Sequence, residues 1–236
     1  MGRSTLPLHT LQTLSKRKHQ AQPAAQTHTQ AARAPAPAGS NQPGAVRIIG
    51  GQWKRRKLPI ASVSAADCLR PTPDRVRETL FNWLGQNLSG WHCVDVCAGT
   101  GALGFEAASR GASIVHMFES HPALVAQLRS NKTLLQATAI QIQAGDGLAS
   151  MLHLAKQQPG SMDAIFLDPP FAADWYTQAL HTARVLLKPQ GFCYLEAHRQ
   201  WAEDELTAAG WQRLRHLKAG AVHAHLLQPL PTNNAP

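Results

Sequence analysis

Cys93-Val94-Asp95-Val96-Cys97-Ala98-Gly99-Thr100-Gly101-Ala102-Leu103-Gly104 is the stretch whose reading decides the fold. Its short apolar run predicts a buried strand, and the glycines that follow predict a tight turn opening a helix. Backbone N–H groups at such a helix start suit an anion or a polar ligand. About seventy residues on, a second apolar run, Ala164-Ile165-Phe166-Leu167, delivers Asp168-Pro169-Pro170-Phe171. In an open α/β sheet both turns lie at the carboxyl ends of their strands, where such sheets bind ligands.

Outward from these turns, strands and helices alternate. Strands are predicted at 92–96, 113–118, 139–143, 164–167 and 192–196, with helices at 101–109, 122–135, 148–157, 174–187 and 201–208. That alternation implies a parallel sheet with helices on both faces. Two further strand-like runs, 211–217 and 221–227, flank a short turn, so an antiparallel hairpin closes the sheet. Upstream, residues 74–87 carry Val76, Leu80, Phe81 and Leu84 at helical spacing, and 47–59 reads as an extended, basic strand or hairpin edge.

Three regions follow: an Ala, Gln and Pro-rich extension over 1–45, a basic arm over 46–73, and an α/β domain over 74–236. The extension cannot bury enough apolar surface to offset its ordering entropy, so disorder is expected there. Of the 23 Lys and Arg, ten lie within residues 1–66, which hold none of the 14 acids. A basic arm on a near-neutral body points to a polyanionic partner met through 47–57, while a solvated tail is the reading for 1–44. Cys68, Cys93, Cys97 and Cys193 show no CxxC spacing and the 12 histidines no HExxH, so neither a metal nor a disulfide is expected. No run approaches the ~18 apolar residues of a membrane span, and the N-terminus lacks the apolar core of a secretory signal. A cytoplasmic location and a monomer are expected.

Asp95 discriminates among ligands for the Gly-rich turn. A carboxylate is unfavourable beside a pyrophosphate but suits a cationic amino-acid moiety. S-adenosylmethionine has an ammonium, a sulfonium and no phosphate, and is the cofactor expected. Ala98, Gly99, Thr100 and Gly101 line that turn. Glu119, eighteen residues after Gly101 and followed by Ser120, is placed to accept from both ribose hydroxyls. A helix N-cap or first-turn acid is its alternative. Asp146 suits an adenine amino group, an N-cap, or both. In Asp168-Pro169-Pro170-Phe171, two prolines remove two N–H donors and fix the backbone. Asp168 and the Pro169 carbonyl remain as acceptors for the hydrogens of an exocyclic amine, and Phe171 offers a flat face to a base. An acidic turn without chemistry is the alternative.

In the arm, Arg47, Gln52, Trp53, Lys54, Arg55, Arg56 and Lys57 combine charge with an aromatic ring, a combination suited to RNA phosphates and bases. A solvated edge strand would look similar. Arg70, Arg75 and Arg77 add cations. Arg75 and Arg77 stand beside Asp74 and Glu78, so Arg70 is the freest of the three by sequence.

Taken together, Arg47-Ile48-Ile49-Gly50-Gly51, Arg70-Pro71-Thr72 with Asp74-Arg75-Val76-Arg77-Glu78, Ala98 to Gly104, and Asp168-Pro169-Pro170-Phe171 resemble one family. It is the bacterial RNA guanine-N2 methyltransferases that modify guanine 966 of 16S ribosomal RNA. The resemblance covers roughly residues 46–228. It implies a Rossmann-like, seven-stranded methyltransferase sheet, S-adenosylmethionine as donor, and 16S ribosomal RNA within small-subunit or assembly particles as substrate. It also implies cofactor contacts at Asp95, Gly99, Gly101, Glu119 and Asp146, with the tetrad from Asp168 catalytic. Cys97 stands where the family usually has Phe, and Arg55 where it usually has Gly. Rival readings are an adenine-N6 or a protein-glutamine methyltransferase, and a catalytically silent RNA-binding assembly factor. Asp in place of Asn at 168 weighs against glutamine. An NAD oxidoreductase leaves Asp95 and the Pro-Pro turn without a job.

Overall fold

The structure, a computed structural model, describes residues 44–60, 72–170 and 175–231. It opens with β1 (Ala45–Arg47), β2 (Lys57–Pro59) and α1 (Asp74–Trp83). Then come β3 (His92–Asp95), α2 (Ala102–Ser109), β4 (Ile114–Glu119), α3 (Pro122–Leu135), β5 (Ile140–Ala144) and α4 (Gly147–Gln157). The chain ends with β6 (Met162–Leu167), α5 (Tyr176–Leu186), β7 (Leu187–Ala197), α6 (Glu203–Ala208), β8 (Trp211–Ala219) and β9 (Val222–Pro229). Seven strands form one sheet in the order β5-β4-β3-β6-β7-β9-β8, and β1 and β2 pair by themselves. The five strands from β5 to β7 run parallel, and β9 and β8 add an antiparallel hairpin, as the sequence predicts.

Alternation along the strands makes two cores. Cys93, Val115, Phe166 and Tyr194 face Val76 and Leu80 of α1, Leu103 and Phe105 of α2, and Leu128 of α3. Their neighbours Val94, Ile165, Cys193 and Leu195 face Met151 of α4, Leu180 of α5 and Leu206 of α6. A one-residue slip of any inner strand would exchange these faces, so both cores fix the register. Two boundaries depart from expectation. α1 stops at Trp83 because Gly85 and Gln86 take positive φ, 86° and 66°, which no helix can follow. β7 begins already at Leu187, joined to β6 across an irregularity between Met162 and Ala164.

The basic segment does not stand apart from this body over its described part. Val46, Ile48 and Leu58 are buried, the last two in the α1–α3 core. All eight residues of α2 are buried, Glu106 among them with no exposed surface. Its carboxylate accepts from the backbone N–H groups of Ile49 (2.8 Å) and Gly50 (2.7 Å) and pairs with Arg110 (2.8 Å) and Arg77 (3.5 Å). The turn then lies against the end of α2, where Gln52 N–H donates to the Ser109 carbonyl at 2.7 Å. Gly51 has φ +72°, and a Cβ there would sit 1.8 Å from that carbonyl oxygen, so no side chain fits.

Arg77 corrects one expectation. It is 1% exposed and cannot meet RNA. Besides Glu106, it binds Asp74 (2.5 Å) and donates to the carbonyls of Arg47 (2.9 Å) and Thr72 (3.2 Å). Its guanidinium ties the hairpin to α1.

Removing Glu106 leaves Arg77 and Arg110 buried without their shared counter-charge. Glu106→Ala is expected to cost about 3–5 kcal/mol, the range for breaking a buried ion pair. Urea unfolding of parent and variant measures it, and a loss under ~1 kcal/mol, typical of an exposed pair, would refute the assignment.

Candidate active site

β3 and β6 are neighbours, paired from Cys93↔Ala164 to Asp95↔Phe166, yet their following helices go to opposite faces of the sheet. That divergence opens a crevice at the carboxyl edge, the switch point where open α/β sheets bind ligands. Acids gather along it from successive strands. Asp95 ends β3, Glu119 ends β4, Asp146 follows β5, Asp168 follows β6 and Glu196 lies near the end of β7.

The Gly-rich turn is held by the first of these. Gly101 takes φ +81° as the N-cap of α2, and an added Cβ would lie 2.5 Å from Phe105 and 2.7 Å from Leu128. Asp95 Oδ2 accepts from Gly104 N–H at 2.9 Å, fastening the helix to the strand. Glu119 accepts from Gly99 N–H and His121 N–H, both at 2.7 Å, so its carboxylate anchors the Gly-rich turn. Each carboxylate oxygen has a second lone pair, and a further donor can be accepted. Asp146 caps α4 through Ala149 N–H at 2.7 Å. Ala98 and Thr100 are buried in the turn, and Ser120 is exposed beside Glu119.

At the turn after β6, Asp168 is half-buried, Pro169 buried and Pro170 exposed; Phe171 lies outside the described residues. Thr72 donates to Asp168 Oδ2 at 3.1 Å. Sequence reasoning gave no role to Thr72, Tyr176, Tyr194 or Glu196, which surround this carboxyl. Leu167 pairs with Leu195, so Glu196 emerges beside Asp168, and Tyr194 Oη donates to it at 2.6 Å. An acid ending a buried strand next to the reactive one was the available signal. Tyr176, whose buried hydroxyl finds no partner among the described residues, continues the wall in an aromatic row with Trp175 and Trp201.

The site is short of positive charge. Burial pushes Asp95 up to about 7, and the charges of Asp168 and Glu119 push the same way against the Gly104 hydrogen bond. Burial also raises Asp168 to about 6, with Thr72 opposing. Glu196 rises to about 8 through burial and then the charge of Asp168. Such a crevice favours a cationic ligand, which relieves the mutual repulsion of its acids.

The predicted RNA contacts lie elsewhere. Gln52, Lys54, Arg55, Arg56 and Lys57 are exposed on the turn between β1 and β2, and Trp53 is half-buried against the core. Arg55 has φ +71°, a left-handed backbone that explains why glycine suits this position. Arg47 is exposed but paired with Asp74 at 2.7 Å, and Arg75 is exposed. Arg70 lies outside the described residues. A polar cavity of about 730 Å³ opens under this turn, lined in part by Gln52, Trp53, Gln86, Asn87 and Gln136. Its walls precede β3, β4 and β5, so it faces the amino edge, away from Asp168. Among the described residues, no cluster of three or more His, Cys, Asp or Glu could hold a metal, and no helix is long and apolar enough to cross a membrane.

The three raised carboxyls make a stability prediction. Each binds its proton more tightly folded than unfolded, so the folded state holds more protons between the ordinary carboxyl range near 4 and about 8. Stability of the ligand-free protein is therefore expected to fall as pH rises through that window. Asp95→Asn, which can still accept from Gly104 N–H, should flatten the slope; thermal melts against pH measure it, and an unchanged slope would exclude Asp95 as a source.

Known proteins match this chain over most of its length. The family described as conserved hypothetical protein 95 matches residues 46–228. Ribosomal RNA small subunit methyltransferase D of Haemophilus influenzae is 37% identical over 191 residues, 80% of this chain and 96% of that protein. The Escherichia coli K12 protein of the same name is 36% identical over 191 residues, 78% and 90% of the two. The solved structure of Escherichia coli yhhF superposes with a TM-score of 0.68 at 34% identity, covering 80% of this chain and 100% of that one. The chain therefore belongs to the conserved hypothetical protein 95 family, the family it shares with ribosomal RNA small subunit methyltransferase D.

Proposed function

We propose that this chain transfers a methyl group from S-adenosylmethionine to the exocyclic N2 of a guanine in 16S ribosomal RNA, in small-subunit or assembly particles. The observation that carries the reading is the turn Asp168-Pro169, which presents a carboxyl and a carbonyl as hydrogen-bond acceptors, beside the acid-lined carboxyl edge at the sheet's switch point. The family name of the relatives supports ribosomal RNA as substrate. Guanine N2, and position 966, follow from the family resemblance. The protein acts as a cytoplasmic monomer in this reading.

The residues divide the work. Ala98 to Gly101 and Asp95 receive the amino-acid end of the cofactor, Glu119 and Ser120 the ribose, and Asp146 the adenine. When bound, the cofactor supplies a methyl group on a sulfonium, ready for displacement. Asp168 and the Pro169 carbonyl accept hydrogen bonds from the two N–H groups of the amine, which turns its lone pair toward the methyl group. Asp168 would take the proton that the amine releases, the methyl group and the departing sulfur being what the bound cofactor would supply. Pro170 stiffens the turn, and the role proposed for Phe171 is to offer its ring to the base. Alignment of amine, carbon and sulfur accounts for much of the acceleration, with no covalent intermediate.

Label from S-adenosylmethionine is expected in N2-methylguanosine, found by nucleoside mass spectrometry after assays on naked RNA, partly assembled particles, DNA and ribosomal protein. Asp168→Ala should abolish transfer while calorimetry reads unchanged cofactor affinity. N6-methyladenosine or methylated glutamine would keep the chemistry and overturn the substrate. No transfer to any of these would favour a silent assembly factor.

The exposed turn supports a second expectation. Replacing Lys54, Arg55, Arg56 and Lys57 by Ala should weaken RNA binding and spare the cofactor. The slope of log affinity against log salt should shrink by roughly 0.7–0.9 per lost phosphate contact. An unchanged slope would move the RNA surface elsewhere.

A further inference from the structure

The cavity beneath the basic turn is a built space on the opposite edge of the sheet from Asp168. Its volume of about 730 Å³ falls in the range of small-ligand sites. The turn contributes Gln52 and Trp53 to its walls, while the ends of α2 and α3 contribute 108–112 and 135–139. Hydrogen bonds fix the turn on α2 without any ligand. Gln52 N–H donates to the Ser109 carbonyl at 2.7 Å and Trp53 N–H to Ser109 Oγ at 3.0 Å. Ser109 Oγ in turn donates to the Gly50 carbonyl at 2.6 Å.

The lining disfavours a charge inside. Arg110 is its one charged residue, and its guanidinium is spent on Glu106 (2.8 Å) and Gln86 Oε1 (2.8 Å). Two helices end here, and the last carbonyls of a helix lack intrahelical donors and carry its negative end. A phosphate is therefore unwelcome in the cavity, whereas a neutral ring with N–H donors is not. Ala108, Ala112, Leu135 and Ala137 add buried apolar surface. Trp53 is half-buried, and the exposed side-chain amides of Gln52 and Gln136 have no partner among the described residues. Lys54, Arg55 and Arg56 follow Trp53 in the same turn, exposed and outside the lining. A ligand that fits has a neutral planar head and an anionic tail, which is the chemistry of a nucleotide.

We propose that this cavity is a nucleotide site of its own, taking one unstacked base of the substrate RNA against the Trp53 ring while the flanking phosphates run along Lys54, Arg55 and Arg56. The N–H groups of the base meet the amide oxygens of Gln52 and Gln136 and the last carbonyls of α2 and α3. The base held here is not the one methylated, because the cavity faces the amino edge and Asp168 the carboxyl edge. It belongs to a non-reacting nucleotide whose binding energy helps to place the reacting one. Every base has a flat face, so the site selects an unpaired nucleotide more than a particular letter.

The inference deepens the RNA-substrate reading and rests on it, but it needs no methyl transfer to be tested. Two labelled single-stranded probes, an adenylate hexamer and an abasic ribose-phosphate hexamer, separate base from backbone in anisotropy titrations. The parent should bind the adenylate more tightly. Trp53→Leu should cut the ratio of the two affinities by about 5–100-fold, the range for one stacked base. Cofactor affinity and the salt slope should stay unchanged, since no phosphate contact is lost. Gln136→Gly suits the left-handed backbone there, φ 52°, and leaves the packing of Trp53 alone. It should cut the same ratio by about 2–10-fold, the range for one hydrogen bond. Should Trp53→Leu fail to fold, the parent comparison and Gln136→Gly decide.

Equal affinity of the parent for the two probes, a ratio unchanged in either folded variant, or a smaller salt slope in Trp53→Leu would overturn the proposal. Methyl transfer by a parent that binds both probes equally would remove this site and leave the enzyme reading standing. Base-dependent binding through Trp53 without methyl transfer to RNA would do the reverse.

Discussion

A single carboxylate with no surface holds the two parts of this protein together. Glu106 lies inside a wholly buried helix, where an ion is costly unless every lone pair is answered. Two guanidiniums, from α1 and α2, and two backbone N–H groups of the hairpin turn answer it. These groups come from the hairpin turn, from α1 and from the end of α2, so satisfying one charge sets the relation of the three. Arg77 then extends the network to Thr72 O, and Thr72 reaches Asp168. The Arg-Ile-Ile-Gly-Gly run and the Arg at 77 are thus explained by docking as much as by contact with a partner.

The opposite electrostatic condition prevails at the carboxyl edge of the sheet. There burial, and for Asp95 and Glu196 the charge of Asp168, raises the proton affinity of three acids against the hydrogen bonds they accept. An enclosed anionic crevice that stays partly protonated when empty gives up protons when a cation enters. Cofactor binding and proton release are therefore linked in the reading offered for this site.

The sheet was legible because its strands are fully buried and bounded by glycine, proline and acidic turns. Those features depend on local sequence alone, and α3 matches its expected limits of 122–135. The lengths of α1 and β7 were not legible: one depends on two left-handed residues and the other on pairing across a bulge. Among site residues, the Gly-rich turn and its helix could be read from spacing. Arg77 was misread because its neighbours in sequence are charged. Its spacing to Leu80 and Phe81, three and four residues on, places it on the apolar face, where an ionic partner had to be sought. That partner, Glu106, is distant in sequence. Glu196 escaped notice for a similar reason, since its neighbour Asp168 adjoins it only through the pairing of β6 and β7.

The basic turn sits by the amino edge of the sheet, while Asp168 opens at the carboxyl edge, with α1 running between them. A helix of ten residues is about 15 Å long. Because the hairpin is welded to α1 and α2, that interval cannot stretch. A nucleic acid touching both places must present its reactive base at a set distance from a backbone segment, which a short flexible strand does only at an entropic cost. In the reading proposed for this protein, the fixed interval acts as a caliper that favours folded RNA whose two features are already spaced to match it.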